Sequence, residues 1–282
     1  MPHELNGRVA VITGATRGIG KNMALLFARE GYTVVGTGRD EGKLRELEQE
    51  LKGVSPSSIA IPLDVRNLDD AKRTAARVVE EFGRIDVWIN NAGVFFAIGP
   101  TWEVEPSDWV GDVTTNLMGT FNCVHAAIPH MLKRGEGRII NLVGGGTLGE
   151  FNYGNAYGTS KTAIARFTEN LASELAGTGL RSFALDPGLN DTDMTRYQRE
   201  TPTGKKYLDK IEQLFEEHVD VPPSWAPESA LQLASGALDA YNGRIVSTYD
   251  DADKLAAASS TIADTEHYTL RMTRLDGMSR TL

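Results

Sequence analysis

The chain has 282 residues, 41% hydrophobic and 24% charged, the ordinary balance of a globular protein. Its formal net charge of −9 argues against general affinity for nucleic acid or an anionic membrane surface, though not against a local basic pocket. The single cysteine, Cys123, excludes an internal disulfide and reads as a packed small hydrophobe, no apolar run approaches a membrane span, and the start lacks a basic-then-apolar leader, so a cytoplasmic protein is expected.

Arg8 to Thr13 is an apolar run that reads as a buried parallel strand. The glycine-rich stretch that follows, with Gly14, Thr16, Arg17, Gly18, Ile19 and Gly20, leads into a helix extending through Ala28. Strand, glycine turn and helix present backbone N–H groups and a helix N-terminus to a phosphate. In this reading Gly14 allows the tight turn, Gly18 lets a pyrophosphate approach the backbone, and Gly20 lets the helix pack close to the sheet.

Tyr32 to Thr37 reads as a second strand, whose end would meet the adenosine ribose. Arg39 there, with Arg17, could clamp a 2′-phosphate, which favours NADP(H) over NAD(H) as cofactor. Asp40 competes with that reading, because an acid there could bind ribose hydroxyls; it could also cap the helix over Glu41 to Leu51.

Ser57 to Leu63 is a third strand ending at Asp64-Val65, and a helix follows from Asn67, its plausible N-cap, to Phe82. Arg84 to Ile89 is the fourth strand and runs into Asn90-Asn91-Ala92-Gly93. Strands alternating with helices imply a Rossmann-type doubly wound α/β fold of about seven parallel strands, with ligands outside the C-terminal strand ends.

A long helical region runs from Pro106 to about Arg134 and contains Asn116, a fifth strand covers Gly137 to Val143, and Gly144-Gly-Gly-Thr147 follows. The next helix carries Tyr157 and Lys161 and continues to about Ala176. Four residues apart, these side chains share a helix face, where an ammonium beside a phenol favours the phenolate and eases proton transfer. Leu180 to Leu185 is the sixth strand and ends at Asp186-Pro187-Gly188.

Residues 189–226 are irregular, hold Thr192 and a charged helix around Gly204 to His218, and are expected to form a substrate lid. A helix over Pro227 to Ala240 and a last strand over Gly243 to Ser247 complete a single domain, 1–247, leaving a C-terminal extension, 248–282, read as a helix and a polar tail. Phe95, Phe96, Trp102, Phe151, Tyr153, Met194 and Tyr197 fall near loop or strand ends, where they could line a pocket for a cyclic or aryl ketone or pack beneath loops.

Thr13-Gly14-x-x-x-Gly18-Ile19-Gly20, Asp64-Val65, Asn90-Asn91-Ala92-Gly93, Asn116, Tyr157-x-x-x-Lys161 and Pro187-Gly188 stand in an order and spacing that resembles the short-chain dehydrogenase/reductases, over residues 5 to about 247. The glycine spacing looks like that of the short, single-domain subgroup. The resemblance implies that Tyr157 is general acid in carbonyl reduction and base in alcohol oxidation. It implies that Lys161 holds the nicotinamide ribose and lowers the Tyr157 pKa. Asn116 would shape its helix for a water-linked proton relay, while Asp64, Asn91, Pro187, Gly188 and Thr192 line the cofactor. It also implies a small-molecule carbonyl or alcohol substrate, a homodimer or homotetramer, and no metal.

One position departs from the pattern. The family's catalytic serine lies thirteen residues before the tyrosine, where this chain has Gly144. Thr147, a water or glycine N–H groups could supply the missing donor, or the substrate could bring its own hydroxyl or need none. Otherwise the chain binds NADP(H) with little turnover, or performs non-redox chemistry on an activated ketone.

Overall fold

A computed structural model describes residues 7–272. Seven parallel strands form one sheet in the order β3-β2-β1-β4-β5-β6-β7: β1 Val9–Ile12, β2 Thr33–Gly38, β3 Ile59–Pro62, β4 Val87–Asn90, β5 Gly137–Leu142, β6 Leu180–Asp186 and β7 Ile245–Ser247. The chain winds outward from β1 to β3 and then returns to β4 beside β1. The neighbours β1 and β4 therefore flank the point where the winding reverses, the usual ligand crevice of such sheets.

Alternation along the strands divides the core in two. Ala10 and Ile12 face one side, packed with Phe27, Leu47, Phe183 and Leu233, while Val9 and Val11 face the other with Val78, Trp88 and Met131. Helices α1 Gly18–Arg29, α2 Glu41–Lys52 and α10 Trp225–Ser235 contribute to the first layer; α3 Leu68–Phe82, α5 Gly119–Arg134 and α6 Asn155–Glu174 contribute to the second. Asn67 caps α3, accepting from Asp69 N and Asp70 N.

The region from Pro106 to Arg134 is helical throughout but not uniformly α. Between α4 Pro106–Val113 and α5 lies one π turn, Thr114–Met118, with Asn116 inside it. Single π turns recur at functional sites because the extra residue re-aims side chains and frees a carbonyl. Here the Thr120 hydroxyl donates to Asn116 O at 2.7 Å.

Three stretches differ from the expected elements. The charged helix around Gly204 to His218 is two helices, α8 Pro202–Tyr207 and α9 Asp209–Glu216, preceded by α7 Asp193–Glu200. Thr201 caps α8 through Gly204 N and Pro202 occupies its first turn, so a new start is written into that sequence. The helix expected over Pro227 to Ala240 begins at Trp225 and stops at Gly236, whose φ of +98° suits glycine. Beyond Ser247 there are two short helices, α11 Ala252–Ala257 and α12 Ser259–Ile262, rather than one; the chain's last ten residues lie outside the described part.

The segment after β7 is not loosely appended. Leu255 and Ile262 belong to the first core layer, and Ile245 N donates to Tyr268 O at 2.8 Å, which covers part of the free edge of β7. Arg244 is buried and its guanidinium donates to Ile262 O (2.9 Å), Thr265 O (2.9 Å) and His267 O. Charge-assisted bonds of this kind contribute more than neutral ones. Arg244→Met is therefore predicted to lower stability by about 2–3 kcal/mol in urea titrations. Faster amide exchange at Ile245 should accompany the loss, and unchanged exchange would contradict the assignment.

Candidate active site

The crevice begins at the glycine turn. Gly14 and Gly18 have φ of +64° and +54°, values that glycine tolerates best. A Cβ on Gly20 would stand 2.4 Å from Asn91 Nδ2 and 2.5 Å from Gly14 O, so α1 approaches the loop closely only because no side chain intervenes. Asn91 Nδ2 donates to Thr13 O (2.8 Å) and Gly14 O (3.2 Å), while Thr13 Oγ1 accepts from Asn91 N and Ala92 N, both at 3.0 Å. The turns after β1 and β4 are thereby tied together. Arg17, at the N-cap of α1, makes no side-chain cap bond, which leaves the first-turn N–H groups for a ligand. A cradle with no room for a Cβ and an uncapped helix start fits a dinucleotide phosphate.

Every residue expected to hold the cofactor, except Gly188, lines one cleft of about 230 Å³ running from Arg39 to Tyr157 and Lys161. Gly188 lines the adjoining cavity instead. Asn90 is buried and belongs to the sheet: its Nδ2 donates to Asn141 Oδ1 (2.8 Å), and Asn141 Nδ2 donates to Thr168 Oγ1 (2.9 Å).

At the adenosine end, Asp40 is the N-cap of α2 and accepts from Lys43 N at 3.0 Å, a bond that holds its carboxyl below the usual range. Asp64 is gripped by Arg66, with Nε–Oδ1 2.9 Å and Nη2–Oδ2 2.5 Å, and its pKa is lowered chiefly by those bonds. Arg17 is shared, because its Nη1 lies 2.7 Å from Asp193 Oδ2 at the start of α7.

At the other end, α6 presents Tyr157 and Lys161. The Tyr157 ring stacks on Phe95, centroids 4.7 Å apart and planes 17° apart. Lys161 Nζ donates to Leu142 O at 2.9 Å and lies 5.4 Å from the Tyr157 ring centroid. Asn116 is 1% exposed; its Oδ1 accepts from Val94 N (2.8 Å) and its Nδ2 donates to Val94 O (3.0 Å) and Ser160 Oγ (3.1 Å). It thus joins the loop after β4 to the helix bearing Tyr157.

The protonation balance differs from the expectation that Lys161 lowers the Tyr157 pKa. Burial pushes the phenol above its ordinary value, with Asp186 and Asp112 adding to the rise, and burial lowers Lys161 to about 8. In each group burial acts against the charged form. A neutral phenol is the form that can donate a proton.

Asp112 is a residue that sequence reasoning missed. Fully buried, it accepts from Phe96 N (3.0 Å) and Ala97 N (3.0 Å), which sets the loop that lays Phe95 on Tyr157. Its carboxyl pKa is raised by burial. Nothing in the local pattern separates it from the neighbouring Asp108.

Gly144 lies against the phenol: a Cβ there would stand 3.0 Å from Tyr157 Oη. Thr147 Oγ1 donates to Gly144 O (2.6 Å) and accepts from Gly144 N (3.2 Å), so its hydroxyl proton is engaged in the turn. Beyond lies a second cavity of about 440 Å³, which shares Ile19, Tyr157, Pro187, Thr192 and Met194 with the first. Phe95, Phe151, Leu148, Ile211 and Leu214 give it largely apolar walls. Of the other aromatic candidates, Phe96, Trp102, Tyr153 and Tyr197 are exposed and do not line it, and His218 lies on the surface.

A family model described as short chain dehydrogenase matches residues 8–203. The 3-oxoacyl-(acyl-carrier-protein) reductase FabG of Thermotoga maritima is 37% identical over 68% of this chain and 77% of its own. The NADP-dependent 3-hydroxy acid dehydrogenase YdfG of Escherichia coli O6:H1 is 34% identical over 64% and 72%. A variant of actinorhodin polyketide ketoreductase, solved with NADPH, superposes with a TM-score of 0.77 at 31% identity over 88% of this chain and 97% of its own. The chain belongs to the short-chain dehydrogenase/reductase family, whose members among these relatives are oxidoreductases. No helix among the described residues is long and apolar enough to cross a membrane.

The lowered Lys161 pKa yields a prediction. Between about pH 8 and the unfolded value near 10.4 the unfolded chain binds more protons, so Lys161 makes native stability rise with pH over that window. Lys161→Met has no such dependence. The stability of the variant relative to wild type should therefore fall by roughly 2–3 kcal/mol from pH 7 to pH 10 in urea titrations. A difference constant with pH would contradict the burial of an ionisable amine here.

Proposed function

We propose that this protein is an NADP(H)-dependent oxidoreductase that interconverts a ketone and a secondary alcohol. The observation that carries the reading is the placement of Tyr157 and Lys161 where the glycine-lined cleft opens into the apolar cavity. Gly14, Thr16, Gly18, Ile19 and Gly20 would hold the pyrophosphate, with Thr192 above it. Arg39, exposed at the end of β2, would meet the 2′-phosphate, and Arg17 would join it by leaving Asp193. Asp40 caps α2 through Oδ1 and, unlike Arg39, does not line the cleft, which supports the phosphate reading. Asp64 and Val65 would flank the adenine, and Asn91, Ala92, Gly93, Pro187 and Gly188 would line the remainder. The relatives' names support NADP.

The nicotinamide, when bound, supplies or accepts the hydride. Tyr157 donates the proton to the carbonyl oxygen in reduction and takes it back in oxidation. Lys161 positions the ribose and adds positive charge beside the phenol. Asn116, through Val94 and Ser160, holds the two walls in register and opens the π turn toward a water-linked route to Lys161. Residues 7–247 act as one catalytic domain with 189–226 as its lid, and the segment from 248 buttresses β7. A cytosolic setting and a homo-oligomer complete the reading.

The geometry bears on the missing serine. Because the Thr147 proton is engaged and Gly144 lies against Tyr157 Oη without a hydroxyl, the carbonyl oxygen depends on the phenol, a water, the N–H groups of the glycine turn or the substrate's own hydroxyl. The deciding experiment follows NADPH and NADH absorbance over aliphatic, aryl and polycyclic ketones. Wild type should consume NADPH at least about tenfold more efficiently than NADH, and Tyr157→Phe should lose about 10³-fold or more in kcat. Tight NADPH binding with no turnover on any ketone, or turnover indifferent to Tyr157→Phe, would overturn the proposal.

A paired variant isolates the donor. Gly144→Ala and Gly144→Ser add the same Cβ, and only serine adds a hydroxyl. Gly144→Ser should exceed Gly144→Ala in kcat by about 10² on simple ketones. Equal rates would show that no donor is wanted at this position.

A further inference from the structure

Among the described residues, the second cavity is lined by one buried polar side chain with no evident task. Gln198 is 4% exposed and lines the cavity, yet among the described residues neither end of its amide has a hydrogen-bond partner. Other polar side chains around it are engaged: Thr195 Oγ1 donates to Asn190 O (2.8 Å), Asn190 Nδ2 to Pro187 O (2.7 Å), and Tyr249 Oη accepts from Leu189 N (3.0 Å). The Gln198 amide is not among the sealed, unpaired polar atoms of the described residues, so it opens to the cavity, where an entering molecule can pair with it.

Its placement is built rather than incidental. On α7, Met194 and Gln198 are one helical turn apart and both line the cavity, while Arg196 and Arg199 form ion pairs with Asp191 and Glu212. The backbone at Gln198 is pressed against α8: a Cβ on Gly204 would stand 1.8 Å from Gln198 O. The glycine thus lets α8 lock α7 in place, and Gln198 shares the cavity wall with Ile211, Leu214 and Phe151. An amide offers two donors and a carbonyl acceptor, so it can pair with a hydroxyl or a second carbonyl.

We propose that Gln198 is a specificity-determining residue: it pairs with a polar function that the substrate carries apart from its reacting carbonyl. The preferred substrates are then ketones with an apolar, ring-sized body bearing a hydroxyl or a second carbonyl. This rests on the carbonyl-reductase reading of the same cavity. A site built to hydrogen-bond a hydroxyl discriminates against an analogue lacking it, because the site's own group is left unpaired.

The test uses α-tetralone and its ring-hydroxylated forms as probes, titrated calorimetrically into the full chain in the presence of NADP⁺, where no reduction occurs. Wild type should bind at least one hydroxylated form about tenfold more tightly than the parent. Gln198→Met, similar in length but without the amide, should bring that ratio close to one, and Gln198→Asn should keep part of it. Thermal unfolding of each variant establishes that it is folded. A ratio near one in wild type, a ratio unchanged in Gln198→Met, or no binding of any probe would overturn the proposal. NADPH consumption by the same ketones is read separately, so failure of the redox reading leaves the binding ratio interpretable.

Discussion

The site depends on the contact between the ends of β1 and β4. Thr13 Oγ1 accepts from two successive backbone N–H groups of the β4 loop, and Asn91 returns a bond to Thr13 O. Hydrogen bonds of this size contribute about 1 kcal/mol each, but their effect here is geometric. They bring α1 so near the loop that Gly14 and Gly20 tolerate no side chain. The result is a glycine-lined cradle, shaped for a phosphate, at the crevice where the winding of the parallel sheet reverses.

From that point the constraint passes along the β4 loop to the chemistry. Asn116 bonds both backbone groups of Val94 and reaches Ser160 on α6, while Asp112 holds the N–H groups of Phe96 and Ala97. Phe95 is thereby laid on the Tyr157 ring. The π turn at Thr114–Met118 is the local distortion within which Asn116 meets these partners. A buried asparagine that satisfies three polar groups at once is a fastening between two walls, and its carboxamide would be hard to replace with an apolar group.

Much of this was legible in the sequence. Every strand coincides with an expected apolar run, β2, β4 and β6 each ending one residue beyond it, because parallel strands buried on both faces read as unbroken hydrophobic segments. Most of the cleft was legible too, since glycine spacing and strand ends locate it. Gly188, displaced into the adjoining cavity, is the exception. Elsewhere local signals had long-range rivals. The helical stretch after Pro202 breaks at Leu208, and α10 stops at Gly236, where no periodicity marks the end strongly. The importance of Asp112 and Gln198 follows only from burial, which depends on elements distant in sequence. The Tyr157 and Lys161 pair was legible as a pair, but the direction in which burial moves both groups was not.

The central claim is hydride transfer to a carbonyl carbon with Tyr157 providing the proton. It is tested most directly by supplying NADPH deuterated at the transferring C4 position and locating the label in the product of a reactive ketone. The account predicts one deuterium on the carbinol carbon, and loss of that product in Tyr157→Phe. A product formed without the label would contradict it and point to chemistry in which the nicotinamide takes no redox part.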